Sequence, residues 1–324
     1  MKRFCLTLTA AALCTAGASS YAENDFTIYG KANLSLNDVE EQSKSPKVDE
    51  WQLNSNASRL GVKGSYKIND ALKAIYQMEF EVHIDDGESS SSKGKDTFEQ
   101  RNIYAGFSSD YGTLIAGKHD TPLKLAQGKV DRFNDQLLGD IKHYMEGEDR
   151  VKNIVMYSTP TMSGFTASAA MIAGEDSSGS SEKNGLSDGV SLSLNYKNDW
   201  LSAAVARNDD VDSQDTTRVM TDFTLGNTKL GLLWQEAEKV DGSADEDSWL
   251  VSATQDLGSG WLIKGQYGKT DYSNSSEDEQ MVFGVDKKLN KQSKVFAYYA
   301  NIERFDGSKS VDDSSFAVGY EIKF

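Results

Sequence analysis

From residue 26 to the C-terminus the chain alternates apolar and polar positions one by one, in stretches of about ten residues. A period of two places successive side chains on opposite faces of a strand. In the last stretch Phe316, Val318, Tyr320, Ile322 and Phe324 share one face, while Ala317, Gly319, Glu321 and Lys323 share the other. Val190, Leu192, Leu194 and Tyr196 oppose Ser191, Ser193, Asn195 and Lys197. Leu72, Ala74, Tyr76, Met78, Phe80 and Val82 oppose Lys73, Ile75, Gln77, Glu79, Glu81 and His83. None of these three apolar faces carries a charge.

The stretches are separated by two kinds of connection that take turns. Eight acidic, Ser-rich loops are expected near 37–50, 85–97, 118–149, 174–189, 208–217, 236–247, 271–280 and 303–314. Glu88 to Lys95 and Glu175 to Asn184 are typical. Seven short turns lie between them, at 68–70, 109–112, 162–164, 198–199, 226–227, 258–260 and 290–292. Gly, Asn and Asp suit such turns because they tolerate positive φ. Fifteen connections imply sixteen strands. The expected fold is therefore all-β: a sixteen-stranded antiparallel transmembrane β-barrel. A soluble β-sandwich would show the same alternation. The barrel is favoured because strands of about ten residues match a tilted crossing of a bilayer. It is also favoured by the alternation of long and short connections, and by the aromatic C-terminus. Pro46, Pro122 and Pro160 all fall in or beside connections, where no ladder hydrogen bond is lost.

The N-terminal residues are expected to direct the chain out of the cytoplasm. Lys2 and Arg3 precede the uncharged apolar run Phe4 to Ala18, and Ser20-Tyr21-Ala22 supplies small residues at a cleavage site. This reads as a signal peptide over 1–22, leaving a single domain over 23–324. The apolar run is shorter than the roughly 20 residues of a spanning helix. Both cysteines, Cys5 and Cys14, fall within the signal, so neither a disulfide framework nor a thiolate metal site is expected. The formal net charge of −16 argues against nucleic acid as a partner. The negative mean hydropathy suits a wide barrel, where only the outward face of each strand is apolar.

Several motifs, in order, resemble the general porins of Gram-negative bacteria, the trimeric sixteen-stranded type. They are Phe26 to Lys31, Ser58 to Gly64, Leu72 to Glu79, Arg101 to Phe107, Tyr111 to Lys118, Asn153 to Pro160 with Ser163-Gly164-Phe165, and the last strand. The resemblance covers essentially the whole chain after the signal. It implies a homotrimer and a third loop folded into the lumen as a constriction, with wall bases facing loop acids. It also implies that Tyr320, Ile322 and Phe324 form the assembly signal read by the barrel-insertion machinery. Matched motif by motif, Arg59 and Lys63 lie in the second-strand motif and Arg101 opens the fourth-strand one. Lys118 stands where the family has an arginine, keeping the charge without the guanidinium fork. Met156 stands where many members place an inward base, which weakens the basic wall.

The residues themselves agree with such a pore. By alternation Arg59 and Lys63 oppose Leu60 and Val62 and face the lumen, as does Lys31 beside Gly30 and Ala32. The candidate acids on the longest loop are Asp120, Asp131, Asp135, Asp140 and Glu146, followed by Glu148 and Asp149. Leu123, Leu125, Phe133, Leu137, Leu138 and Ile141 make that loop unusually apolar, as packing against the inside of the wall requires. No catalytic role or cofactor is expected: His83, His119 and His143 lie in no Ser–His–Asp nucleophile motif. Asp245-Glu246-Asp247 and Glu277-Asp278-Glu279 lack the ordered spacing of a calcium loop and read as solvated loop acids, with no metal bound. The expected function is passive diffusion of small hydrophilic solutes and ions through an outer-membrane channel. A substrate-specific channel, for oligosaccharides for example, would need lumen aromatics, yet Trp234 falls outward with Leu230 and Leu232. A surface protein using its acidic loops as an adhesive face would pass no current. The acidic rims predict a weak cation preference, acting within a Debye length of about 8 Å. They also point to lipid and lipopolysaccharide contacts through divalent cations.

Overall fold

The computed structural model describes residues 25–87, 96–175 and 183–324. The signal segment, the stretch Glu88 to Lys95 and most of Glu175 to Asn184 lie outside the described residues. The described residues form sixteen antiparallel strands. They are β1 (Asp25–Glu41), β2 (Val48–Ser55 and Arg59–Asn69), β3 (Leu72–Val82), β4 (Phe98–Ser109), β5 (Gly112–Asp120), β6 (Arg150–Ser158), β7 (Phe165–Ile172) and β8 (Gly189–Lys197). There follow β9 (Leu201–Val211), β10 (Gln214–Leu225), β11 (Thr228–Lys239), β12 (Asp245–Gly258), β13 (Trp261–Tyr272), β14 (Glu277–Lys288), β15 (Ser293–Phe305) and β16 (Ser310–Lys323). Each strand pairs with the next, and β1 pairs with β16 from Lys31↔Lys323 to Glu41↔Asp313, which closes the sheet. Closure leaves no edge strand, the condition for a sheet to span a bilayer.

The second strand is broken once, at Asn56-Ala57-Ser58, where Ala57 takes φ +48°. Both halves stay paired to β1. The freed groups are satisfied locally: Asn56 N donates to Asn33 O at 2.8 Å, and Asn33 N to Ser58 Oγ at 2.9 Å.

Burial runs opposite to that of a soluble protein, which removes the β-sandwich reading. On β16, Phe316, Val318, Tyr320 and Ile322 are exposed, whereas Asp313, Ser315 and Ala317 are buried. Inward Arg218, Gln235, Thr270 and Gln280 are fully buried, while outward Leu192, Leu194, Leu230, Leu232 and Trp234 are exposed. Each large apolar side chain left in water would forgo about 1.5–3 kcal/mol, so this outer face requires hydrocarbon. Trp234 pairs across the ladder with Trp249, and above them Glu236 pairs with Asp247 and Glu238 with Asp245. The apolar band therefore ends at an aromatic row, as at a membrane interface.

The count of sixteen strands holds, but several loops are shorter than the alternation implied. The connections expected at 37–50, 208–217, 236–247, 271–280 and 303–314 contract to 42–47, 212–213, 240–244, 273–276 and 306–309. The strands continue beyond the apolar band, where both faces are polar and the period-two signal fades. Asp245, Glu246 and Asp247, and Glu277, Asp278 and Glu279, are consequently strand residues and not loop acids. Among the described residues no group of three or more His, Asp and Glu side chains is placed to hold a metal.

Candidate pore constriction

Residues 121–149 join β5 to β6 and form a compact unit of their own. Thr121 caps a short helix, α1 (Pro122–Leu125), by accepting from Lys124 N at 3.1 Å. Asp140 caps a 3-10 turn (Ile141–His143), accepting from Lys142 N at 3.0 Å and from Asp135 N at 2.9 Å. Asp131 accepts from Phe133 N at 3.0 Å and Ile141 N at 3.2 Å. One threonine and two aspartates thus hold the segment's own backbone, as short polar side chains do where the ladder is absent.

The segment touches inward side chains around the barrel. Leu123 N donates to Ser191 Oγ on β8, Gln266 on β13 donates to Gly139 O at 2.8 Å, and Gln280 on β14 to Leu138 O at 2.8 Å. Tyr298 on β15 donates to Leu137 O at 3.1 Å. Arg218 pairs with Glu148 at 2.7 Å and also donates to Glu146 O. Apolar contacts follow the same side: Leu123, Val130, Ile141, Tyr144 and Met145 pack with Ala204, Met220, Leu233 and Leu250. Phe133 and Leu138 pack with Val282, Phe296, Tyr298, Ala300 and Ile302.

Toward β1–β6 the contacts are charged. Asp135 lies 2.7 Å from Lys31 Nζ on β1 and 2.7 Å from Arg59 Nη2 on β2. Burial raises the Asp135 carboxyl, but the Lys31 and Arg59 cations outweigh it and hold the pKa down to about 2. Between β3 and β4 a bulge sets Arg101 and Asn102 together opposite Glu79. Bulges re-aim side chains. Here Arg101 reaches Glu79 at 3.0 Å and Glu81 at 2.6 Å, while Asn102 donates to Asp120 at 3.0 Å. Asp120 in turn pairs with Arg150 of β6 at 3.0 Å. Beside these groups lies a cavity of about 720 Å³ lined by Arg59, Glu81, Arg101, Asp120, Lys124, Asp135, Lys142 and Arg150 among others.

The structure thus gathers Lys31, Arg59, Arg101, Asp120 and Asp135 into one region. The other candidates stand elsewhere. Lys63 faces inward but is about 13 Å farther along β2, with its ammonium 5.2 Å from the centre of the Tyr29 ring. Lys118 pairs across the ladder with Ile103, in phase with Leu114 and Ala116, and so falls on the outward face. Asp131 and Asp140 are buried within the loop, although Asp140 also borders the cavity. Burial, together with the neighbouring Asp140, pushes Asp131 well above the usual carboxylate range. Glu146 lies on the far side, its amide donating to Glu246 of β12. Tyr320 and Ile322 are outward, and the Phe324 ring covers Gly30 of β1. Met156 is buried inward against Ile115, Ile154 and Ala170. Sequence reasoning had left Glu79, Glu81, Lys124 and Arg150 out of the site. Glu79 and Glu81 alternate with Met78 and Phe80, so their inward direction was readable.

A closed barrel with an apolar exterior and a charged, narrowed interior is an outer-membrane channel. The chain belongs to the Gram-negative porin family, whose model matches residues 7–307. Outer membrane porin protein 32 of Delftia acidovorans is 24% identical over 326 residues, 93% of this chain and 90% of that protein. The fold is shared with an anion-selective porin from Comamonas acidovorans, at TM-score 0.74 and 18% identity over 93% of this chain and 100% of that one. It is also shared with a trimer form of OmpT from Vibrio cholerae, at TM-score 0.70 and 17% identity over 93% and 99% of the two chains.

Proposed function

We propose that this outer-membrane porin is a general diffusion channel whose waist is set by residues 121–149. The observation that carries the reading is Asp135, which reaches from that segment to Lys31 and Arg59 on the wall beside a charged cavity. Opposed acids and bases across a narrow aqueous passage orient water and polar solutes and disfavour apolar ones of the same size. The channel makes and breaks no bond. Among the cavity's lining residues, five are Lys or Arg and seven are Asp or Glu, which supports a weak preference for cations.

Secretion by cleavage after Ala22 and assembly through the C-terminal aromatic strand belong to the same proposal. So does a homotrimer, supported by the trimer form of the Vibrio relative. Outward carboxylates such as Glu236 and Asp247 stand just above the aromatic row, where divalent cations would bridge them to lipopolysaccharide phosphates.

Single-channel recording in a planar bilayer, with added oligosaccharides, tests the reading. Ohmic steps in threes that sugars leave unblocked are expected. Concentration-dependent block by one sugar would replace general diffusion with a specific channel, and a folded sample that gives no steps would refute both.

A further inference from the structure

We propose that three inward glycines of the far wall, Gly231 on β11, Gly268 on β13 and Gly284 on β14, are sockets that fix the 121–149 segment and thereby set the bore of the pore. The inference rests on the channel reading above.

Each glycine receives a different side chain of the segment. A Cβ at Gly231 would meet Ser252 Oγ at 2.5 Å and, on the segment, Val130 Cγ1 at 3.0 Å. One at Gly284 would meet Ala297 O at 2.7 Å and Tyr298 Cβ at 2.8 Å on the next strand and Phe133 Cε1 at 2.9 Å, and one at Gly268 would collide with the Tyr144 hydroxyl. None of the three has a left-handed φ, so backbone conformation does not call for glycine there. The space is occupied instead. Gly61 and Gly319 differ in having no segment side chain among their nearest atoms: they meet the rings of Tyr29 and Phe296 on neighbouring strands. Gly265, outward on β13, meets only Val282 O at 3.8 Å.

Around the sockets, wall side chains hold the segment's backbone. Ser252 Oγ, directly across from Gly231, donates to Val130 O at 2.6 Å. Gln266 accepts from Arg132 N at 2.9 Å and donates to Gly139 O at 2.8 Å. Lys264, directly across from Gly284, donates to Arg132 O and lies 4.4 Å from the centre of the Phe133 ring. Side chains fill sockets while the backbone is clamped between them, so the segment has one seat on this wall. Its opposite edge, which carries Asp135, is then held against Lys31 and Arg59 and at a fixed distance from Arg101. Filling a socket displaces the segment toward that opposite wall. Emptying one loosens it.

Gly231→Val is the cleanest test, because the nearest atoms to its Cβ are the side chains of Ser252 and Val130 and no strand carbonyl. Single-channel conductance should fall on the order of twofold as the passage narrows, and Gly231→Val with Val130→Gly should recover it. Gly265→Val, on the outward face, should leave conductance unchanged. Phe133→Ala and Tyr144→Ala alter only the segment, so they decide the matter if Gly231→Val does not fold. Both should give larger and noisier openings from barrels whose heat-shifted gel migration matches the parent. Unaltered conductance in the folded variants, alongside normal steps from the parent, would overturn the sockets and leave the channel reading intact. A parent that gives no steps would overturn the channel reading and this inference with it.

Discussion

Asp135→Asn removes one charge from the waist while keeping the side chain's shape. The carboxylate it replaces faces Lys31 and Arg59 at 2.7 Å each, so two cations lose their shared counter-ion. For a monovalent ion passing about 5 Å from that site in water, the lost interaction is about 0.8 kcal/mol. Screening over a Debye length of about 8 Å reduces it to about 0.4 kcal/mol. The change acts with opposite sign on cations and anions, so their permeability ratio should move about fourfold toward anions, tenfold being about 1.4 kcal/mol. Both donors stay cationic, so the hydrogen bonds that an asparagine oxygen still accepts remain charge-assisted. The far-wall anchors at Gln266, Gln280 and Arg218 keep the segment in place. The assay is reversal potential across a bilayer in a potassium chloride gradient. A folded variant whose reversal potential is unchanged, or shifts toward cations, would refute the placement of Asp135 at the waist.

Acid should reproduce that substitution late. Asp135 has its pKa held down to about 2, below the 3.8 of a free aspartate, so its contribution is intact above about pH 4 and is lost as pH falls through about 2. The difference in reversal potential between the parent and Asp135→Asn should therefore persist from neutral pH to about 4 and close only below that; a difference that closes with a midpoint near 4 would contradict the pairing. Arg101→Gln should have the opposite effect, a several-fold shift toward cations in the same gradient, because Glu79 and Glu81 lose the guanidinium they share. Lys118→Gln should leave reversal potential unchanged, since the side chain is outward; a shift comparable to that of Arg101→Gln would place it in the lumen instead. Leu232→Arg, within the outward apolar band, should cost about 2–4 kcal/mol in reversible urea unfolding from lipid vesicles, and a cost under about 1 kcal/mol would mean that this face does not meet hydrocarbon.

The wall was legible because its physics is local. Alternate residues of each strand meet hydrocarbon or water, and that choice is written residue by residue, as at Phe316 to Phe324. The same rule would have placed Lys118 outward with Leu114 and Ala116, but the family motif argued for a wall base there. Loop lengths were less legible. Beyond the apolar band both faces are polar, so Glu236 to Glu238 read as loop although their ladder to β12 continues. Arg101 was harder still. Its aim depends on a bulge that sets two residues against Glu79, and a register shift leaves no trace in single-strand alternation.

The loop acids show a different limit. Asp131, Asp135 and Asp140 lie within ten residues on one segment and carry the same group, yet only Asp135 meets the wall bases. The reason is that the segment divides the barrel interior into two solvents. On the β8–β15 side, Leu123, Phe133, Leu138 and Ile141 meet apolar wall and exclude water, as in a soluble core. A carboxylate there is costly unless backbone amides bind it, and Asp131 and Asp140 are spent on those amides. On the β1–β6 side the interior stays wet, and charge can remain charged. Arg218 obeys the same division from the wall. Fully buried, it is tolerated only because Glu148, Gln235 and the Glu146 carbonyl satisfy its guanidinium. Which charges serve the pore therefore depends on which side of the segment they face, and that is fixed by contacts a hundred residues apart in the chain. The ions that cross should respond to Asp135, Arg59 and Arg101, while Arg218 and Asp131 should govern whether the segment seats at all.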